Sequence, residues 1–335
     1  MRIPTSQLLS AGVVSAVLLL TAACGSGSSP TATPSSEVPA TQSTTAAPVS
    51  PADDPFDGRR LWVDPDSKAA QAVSGLSGDD AQLVQRIAAT PTAVWLTPES
   101  LPTGEVASAV RSAITSAGEE LPVFVLYGIP ARDCTGGHSS GGLDATAYLD
   151  WVRSIDGALT DRPVVILEPD ALASAPACNL VSQREELLAA AVGILATHAS
   201  VYVDAGHSSW VEPATMAQML SVIGIERVRG FAVNVSSFGT DADERTYAEA
   251  IRADLPEAHY VIDSSRNGSG SNGEWCNPPD RALGVVPDAV QDGSGLDAHL
   301  WIKPPGESDG TCQGGPAAGT FWPERAISMA KNAGW

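Results

Sequence analysis

Short apolar runs rich in β-branched residues recur along the chain at 93–96, 123–127, 164–167, 201–203, 231–235, 260–262 and 299–302. Runs of that length and composition predict strands. Helical spacing fills the intervals between them. The clearest case is 182–198, where Ser182 and Glu185 form a capping box ahead of Leu187, Leu188, Ala191, Ile194 and Leu195. Asp241 and Glu244 make a similar start, and further amphipathic segments cover 79–89, 104–117 and 144–159. Strand and helix alternating about seven times predicts a parallel sheet covered by helices. A barrel and a doubly wound sheet both accommodate that count.

The polar residues decide between them. Tyr127 ends one strand, Glu168-Pro169-Asp170 the next and Asp204 the one after, while Asn234, Asp263 and Lys303 end three more. Polar groups at the carboxyl ends of many different strands are the layout of a barrel active site, whereas a doubly wound sheet gathers them at one switch point. The sequence therefore predicts an α/β barrel of about seven strands.

The start of the chain does not belong to that pattern. Arg2 precedes an apolar stretch at 8–20, shorter than the roughly 20 residues that span a bilayer, which reads as an export signal at 1–24. It ends in Thr21-Ala22-Ala23-Cys24, which resembles a lipoprotein cleavage box with Cys24 as the lipidated residue; a plain secretory signal is the alternative. Residues 25–52 are Ser, Thr, Pro and Ala with a single charge, Glu37, a composition that reads as a disordered linker. The folded unit is then expected at 53–335, outside the cytoplasm or lipid-anchored to the outer face of the membrane, and as a monomer. Four further cysteines, Cys134, Cys178, Cys276 and Cys312, suggest two disulfides in an exported chain. Three connectivities are open, and proximity favours Cys134 with Cys178 and Cys276 with Cys312. Zinc is the rival use of cysteine, but no Cys-x-x-Cys or His-x-x-x-His spacing occurs, so neither metal nor cofactor is expected.

The 335 residues carry 39 acidic against 19 basic side chains, a formal charge of -20, with no basic run. That argues against nucleic acid as a partner, because a phosphate-binding surface needs clustered Lys and Arg. An uncharged polymer or small molecule fits better. Asp133, Asp170, Asp204, Asp263, Glu307 and Asp309 are the candidate chemical groups. One strand-end aspartate is more often a cap or loop brace than a catalyst, but several on one barrel face suit glycoside hydrolysis, which needs a protonated carboxyl and a proton acceptor. Trp95, Trp210 and Trp275 sit in predicted loops or at a strand end, and an indole face can stack on a sugar. Core packing is the plain alternative for each, and Trp301, within an apolar run, is assigned to the core.

These motifs together resemble glycoside hydrolase family 6, the inverting cellulases. The matching blocks are Leu61-Trp62-Val63-Asp64-Pro65, Leu126-Tyr127 through Ala131-Arg132-Asp133-Cys134, and Val165-Ile166-Leu167-Glu168-Pro169-Asp170. They continue through Tyr202-Val203-Asp204-Ala205-Gly206-His207-Ser208-Ser209-Trp210, Asn234-Val235-Ser236 and Ile262-Asp263-Ser264-Ser265-Arg266-Asn267-Gly268. Glu274-Trp275-Cys276 and Leu300-Trp301-Ile302-Lys303-Pro304-Pro305-Gly306-Glu307-Ser308-Asp309-Gly310 complete the series in order.

The resemblance implies a distorted, incompletely closed barrel and hydrolysis of β-1,4-glucan with inversion. It implies Asp170 as general acid and Asp309 as the base, with Asp133 raising the acid's pKa or relaying water. Tyr127 and a serine of His138-Ser139-Ser140, taken as Ser140, would line the reacting subsite. Trp95, Trp210 and Trp275 match sugar-stacking tryptophans, and Lys303 and Glu307 match polar contacts to glucose. His207 and Asn234 fall in matching blocks as substrate-binding or structural residues. The family's two disulfides coincide with the pairing that proximity favours. Gly128-Ile129 and Ser237-Phe238 depart from the family pattern near the cleft, which bears on substrate preference. A lipid-anchored solute-binding protein is the competing class, but it would need no carboxylate pair; a non-catalytic, lipid-anchored glucan-binding member of the family stays open as the alternative.

Overall fold

A computed structural model describes residues 53–335. The predicted leader at 1–24 with Cys24, and the linker at 25–52, lie outside the described residues. In chain order the helices and strands are α1 Lys68–Val73, α2 Gly78–Ala88, β1 Val94–Leu96, α3 Thr103–Ala117, β2 Val123–Leu126, α4 Ala145–Asp156 and β3 Val164–Leu167. They continue as α5 Ala171–Cys178, α6 Val181–Leu195, β4 Ser200–Asp204, α7 Pro213–Val222, β5 Gly230–Val233 and α8 Asp241–Arg252. The last are β6 His259–Asp263, β7 Asp288–Ala289, β8 Leu296–Leu300 and α9 Pro323–Asn332.

The sheet order is β1-β2-β3-β4-β5-β6-β8-β7, with every neighbouring pair parallel except β7 against β8. Strands that stay neighbours in chain order make a barrel wall; a doubly wound sheet would reverse partway. This wall does not close. Where β1 and β8 would pair, the Ala93 N–H donates to the Trp301 carbonyl at 3.0 Å and the Trp95 indole N–H donates to the Ile302 carbonyl at 2.8 Å. The expected incompletely closed α/β barrel is the fold, with one more strand than the seven predicted.

Alternation along the strands makes two cores. Val125, Ile166, Tyr202, Ala232, Val261 and Ala298 fill the barrel interior, where Phe56 also packs. Phe124, Leu126, Val165, Leu167 and Val203 face outward against the helices, including Leu187 and Leu188 of α6. Both faces of the strands are therefore apolar, which is why they read as unbroken runs.

Local differences from the sequence reading have local causes. The last strand is Leu296–Leu300 rather than 299–302, because Asp297 and His299 interrupt its apolar pattern. Helix α6 begins at Val181 with Leu180 at its cap, so the Ser182–Glu185 box does not form. Helix α8 is capped by Thr240, whose hydroxyl accepts the Asp243 N–H at 3.2 Å, which releases Glu244 for another contact. Helix α5 carries no apolar periodicity, because its sequence is nearly all small residues with Pro176 inside.

The end of the sheet opposite the strand carboxyl termini is tied by one buried anion. Asp297 accepts two hydrogen bonds from Arg229, each 2.7 Å, one from the Tyr202 hydroxyl at 2.5 Å, and contacts His259 Nδ1 at 2.8 Å. Burial alone would raise this carboxyl, but those partners outweigh it and hold it below the usual range. Asp297→Ala deprives the buried Arg229 of its carboxylate and is expected to cost about 3–5 kcal/mol, read as a shifted urea midpoint at unchanged slope. A loss under about 1 kcal/mol would show that the cluster relaxes freely.

Candidate active site

The segments leaving β2, β3 and β5 at their carboxyl ends take unusual backbone conformations. Ala131, Asp133, Glu168, Asp170, Asn234 and Ser236 all have positive φ, between 51° and 68°. Non-glycine residues there cost about 1–3 kcal/mol each and persist only where surroundings hold them. The holding groups are visible. The Glu168 carboxylate accepts the Gly128 and Ile129 N–H groups, at 2.9–3.1 Å. Asp204 accepts the Asp170 N–H at 2.8 Å and the Gly206 N–H at 3.1 Å. Asp263 accepts from the backbone of Ser236, Ser265, Ile302 and Lys303, at 3.0–3.2 Å. Asp204 and Asp263 are thus braces beneath the site.

Above them lies a cleft of about 510 Å³. Asp133, Asp170, Asp309, Tyr127 and Lys303 meet in it, with Trp95, His207, Trp210 and Trp275 along its walls. Other predicted residues fall elsewhere. Ser140 is exposed beside the cleft, and its neighbour Ser139 lines it instead. Asn234 is fully buried, donating to the Asp263 carbonyl at 2.8 Å and the Gly239 carbonyl at 3.2 Å. Glu307 pairs with Lys68 at 2.8 Å in an adjoining cavity of about 260 Å³, which Trp95 also lines.

Two disulfides hold the site's loops. Cys134–Cys178 ties the segment after Asp133 to the end of α5, and Cys276–Cys312 brackets Asn277 and Asp309. His138 approaches Cys276 and Cys312, but those sulfurs are already bonded to each other, so the group offers no thiolate to a metal. Asp133 accepts the Ser139 N–H at 2.6 Å, and Gly137 packs so closely on its carboxyl that a Cβ there would overlap it. The Gly136-Gly137 pair is the sequence signal for this turn.

The carboxylates are separated by their surroundings. Burial pushes Asp170 up to about 7, the Asp133 and Asp309 charges add to that, and Lys303 opposes it. Asp309 is also buried, but Arg266 at 2.8 and 3.0 Å, Lys303 at 3.9 Å and the Asn277 N–H at 3.0 Å outweigh burial and hold it below the usual range. One carboxyl that keeps its proton near neutrality therefore faces one that has lost it. Burial drives the Tyr127 hydroxyl well above its ordinary value, so it stays a neutral donor. Tyr127 packs edge-on to Trp95, with ring centroids 5.4 Å apart, and the Arg132 guanidinium lies 4.7 Å from its ring centre.

The sequence model of Glycosyl hydrolases family 6 matches residues 56–333. The chain belongs to glycosyl hydrolase family 6. Endoglucanase A of Cellulomonas fimi is 46% identical over 279 residues, 82% of this chain and 62% of that protein. The chain thus spans less than two thirds of that relative's length. Endoglucanase 1 of Streptomyces halstedii is 40% identical, over 85% of this chain and 92% of its own. The endoglucanase Cel6 of Mycobacterium tuberculosis, solved with a methyl-cellobiosyl-thio-cellobioside, superposes with a TM-score of 0.79 at 41% identity, covering 84% of this chain and all of that one.

If Arg266 keeps Asp309 ionised, Arg266→Met should raise the Asp309 titration by about one pH unit or more, followed through its carboxyl carbon by NMR. A titration that stays in place would assign the low value to Lys303 and the Asn277 amide instead.

Proposed function

We propose that the chain hydrolyses β-1,4-glucosidic bonds of cellulose-like glucans, cutting internally and inverting the anomeric carbon. The observation that carries this reading is the opposed pair: Asp170 held protonated near neutrality and Asp309 held ionised, in one cleft walled by tryptophans. Asp170 gives its proton to the glycosidic oxygen as the C1–O bond breaks. Water attacks C1 from the opposite face and yields its proton to a carboxylate. Asp309 is the acceptor by family resemblance. The alternative route passes the proton through Asp133, which lines the same cleft. A solute-binding protein would have no use for a carboxyl pair held in opposite states.

Internal cutting is supported by the cleft's openness. Trp275 is 58% exposed and Trp210 38%, so these stacking faces are not roofed. The short interval between Cys276 and Cys312 already holds β8 and the 303–309 turn, and α5 is pinned at Cys178, so little chain is left to build a cover. A glucan chain can then lie down anywhere along its length. The two disulfides suit an oxidising compartment, and we place the protein outside the cytoplasm, anchored there if Cys24 carries lipid.

Asp170→Ala should abolish release of reducing sugar while cello-oligosaccharide binding survives, and wild-type turnover should fall as pH rises through about 7, where Asp170 loses its proton. Activity within tenfold of wild type, or loss of binding along with turnover, would remove Asp170 from the acid role. If Asp133→Ala is more damaging than Asp309→Ala, the relay through Asp133 is the route.

A second measurement addresses stereochemistry and mode together. Proton NMR of fresh product should show the α-anomer first, and carboxymethylcellulose should lose viscosity early relative to new reducing ends. A β-anomer first contradicts inversion, and cellobiose release at nearly constant viscosity contradicts internal cutting.

A further inference from the structure

The loop that brings His207, Ser209 and Trp210 to the cleft leaves β4 at Asp204. Its base is held by the Tyr247 hydroxyl on the Ala205 carbonyl at 3.2 Å and the Asn234 N–H on the Gly206 carbonyl at 2.8 Å, and at Ser208 it is held by Glu244. Glu244 of α8 is fully buried. Its carboxylate accepts the Ser208 hydroxyl at 2.7 Å and the Ser208 N–H at 3.1 Å. The chain also passes close to it at Gly239, where an added Cβ would overlap Glu244 Oε1. Gly239 closes the 234–239 turn by donating to Asn234 Oδ1 at 2.9 Å, and that turn supplies Val235, Ser236 and Ser237 to the cleft wall. Glu244 is thus wedged between two loops that both form the substrate cleft.

Its chemistry is unusual for a structural filler. Among the described residues no Lys, Arg or His pairs with this carboxylate, and its only close hydrogen-bond donors are those of Ser208. Burial pushes it up to about 7, with Asp243 and Asp241 adding to that. A buried carboxyl without a cation is a costly way to fill space, and a neutral or apolar residue would be cheaper. The sequence pattern offered a local use for it, as the capping partner of Asp241, but Thr240 caps α8 instead.

We propose that Glu244 is the positioning residue for the Trp210 platform: through Ser208 it fixes the loop on which His207 and Trp210 stand, and so sets glucan affinity. Trp210 has no hydrogen bond of its own to hold its plane among those of the described residues beyond the backbone turn to His207 at 3.0 Å, and its ring packs 5.3 Å from the His207 ring. Its orientation therefore follows the loop. The proposal rests on the glucan-hydrolase reading for its functional consequence, though not for the tether itself.

The test compares Ser208→Ala, Glu244→Gln and Glu244→Ala, alone and with Trp210→Ala, on soluble cello-oligosaccharides. Ser208→Ala should raise KM about fivefold or more, the scale of one lost hydrogen bond, with kcat within about twofold. Glu244→Gln, which can still bond Ser208, should stay closer to wild type than Glu244→Ala. In a Trp210→Ala background Ser208→Ala should add less than about twofold, because the group it positions is gone. An undiminished effect there, or a kcat loss matching the KM rise, overturns the proposal. If Glu244→Ala does not fold, Ser208→Ala and Glu244→Gln carry the comparison. Should the wild-type protein neither bind nor cut these sugars, the glucan reading fails on its own account. Hydrogen exchange at amides 205–210 still reads the tether: about tenfold faster exchange in Ser208→Ala supports it, and unchanged exchange overturns it.

Discussion

The barrel's missing closure shapes everything above it. β7 pairs with part of the second edge of β8, and between β1 and the residues that follow β8 the ladder is replaced by one backbone hydrogen bond, from Ala93 to Trp301, and one side-chain bond, from the Trp95 indole to the Ile302 carbonyl. A closed wall would satisfy these edges with a row of bonds. Here a tryptophan does part of that work while its ring lines both the central cleft and the cavity beside Glu307. Anchoring the indole N–H fixes the plane of the ring, so a structural staple at the seam is also a flat apolar wall. The Lys303 ammonium lies 5.4 Å from the centre of that ring, which ties the end of β8 to the same wall.

With the seam open, the floor must be stiffened from beneath, and buried carboxylates do this. Glu168, Asp204 and Asp263 each accept backbone N–H groups from segments that cross the top of the barrel. Glu168 is raised to about 7 and Asp204 is held well above its ordinary value, burial leading in both cases. N–H donors therefore offset only part of the desolvation at these two positions. What they achieve is geometric: the left-handed turns at Glu168 and Asp170 are locked, and the Asp170 side chain is presented to the cleft. Asp309 shows the contrast, since full cationic contacts from Arg266 reverse the effect of burial. Two aspartates in one cleft thus differ in state because burial, with the Asp133 and Asp309 charges adding to it, raises Asp170, whereas Arg266 and Lys303 outweigh burial at Asp309.

Much of this was legible in the sequence. The strand runs, the polar residues at their ends and the ordered motif blocks fixed the fold class and brought Asp133, Asp170, Asp309, Tyr127 and Lys303 into view. Cysteine proximity favoured the pairing that is found. The misplacements have a common physical origin. Ser140 and Ser139 cannot be told apart by spacing, because the turn they occupy depends on the Asp133 carboxylate folding back onto its own loop. Asn234 stands at a strand end like its neighbours, but its left-handed conformation turns its amide under the cleft toward Asp263 and Gly239. Side-chain direction at the end of a strand is set by the next turn, and periodicity carries no information about it.

Glu244 shows the same limit from the other side. In the sequence it belongs to a helix start, three positions after an acidic residue, where a capping role accounts for it completely. One residue of slippage in the true cap, from Asp241 to Thr240, removes that role and leaves a carboxylate facing inward. Its partner, Ser208, is 36 residues away and sits in a block whose evident members are Asp204, His207 and Trp210. A contact between an unremarked serine and a helix-start glutamate has no local signature. It becomes visible only when the helix between β5 and β6 is laid against the loop after β4, and then the absence of any cation beside it among the described residues asks for an explanation. A cost in stability beside a loop that lines the cleft is the cost of holding that loop still.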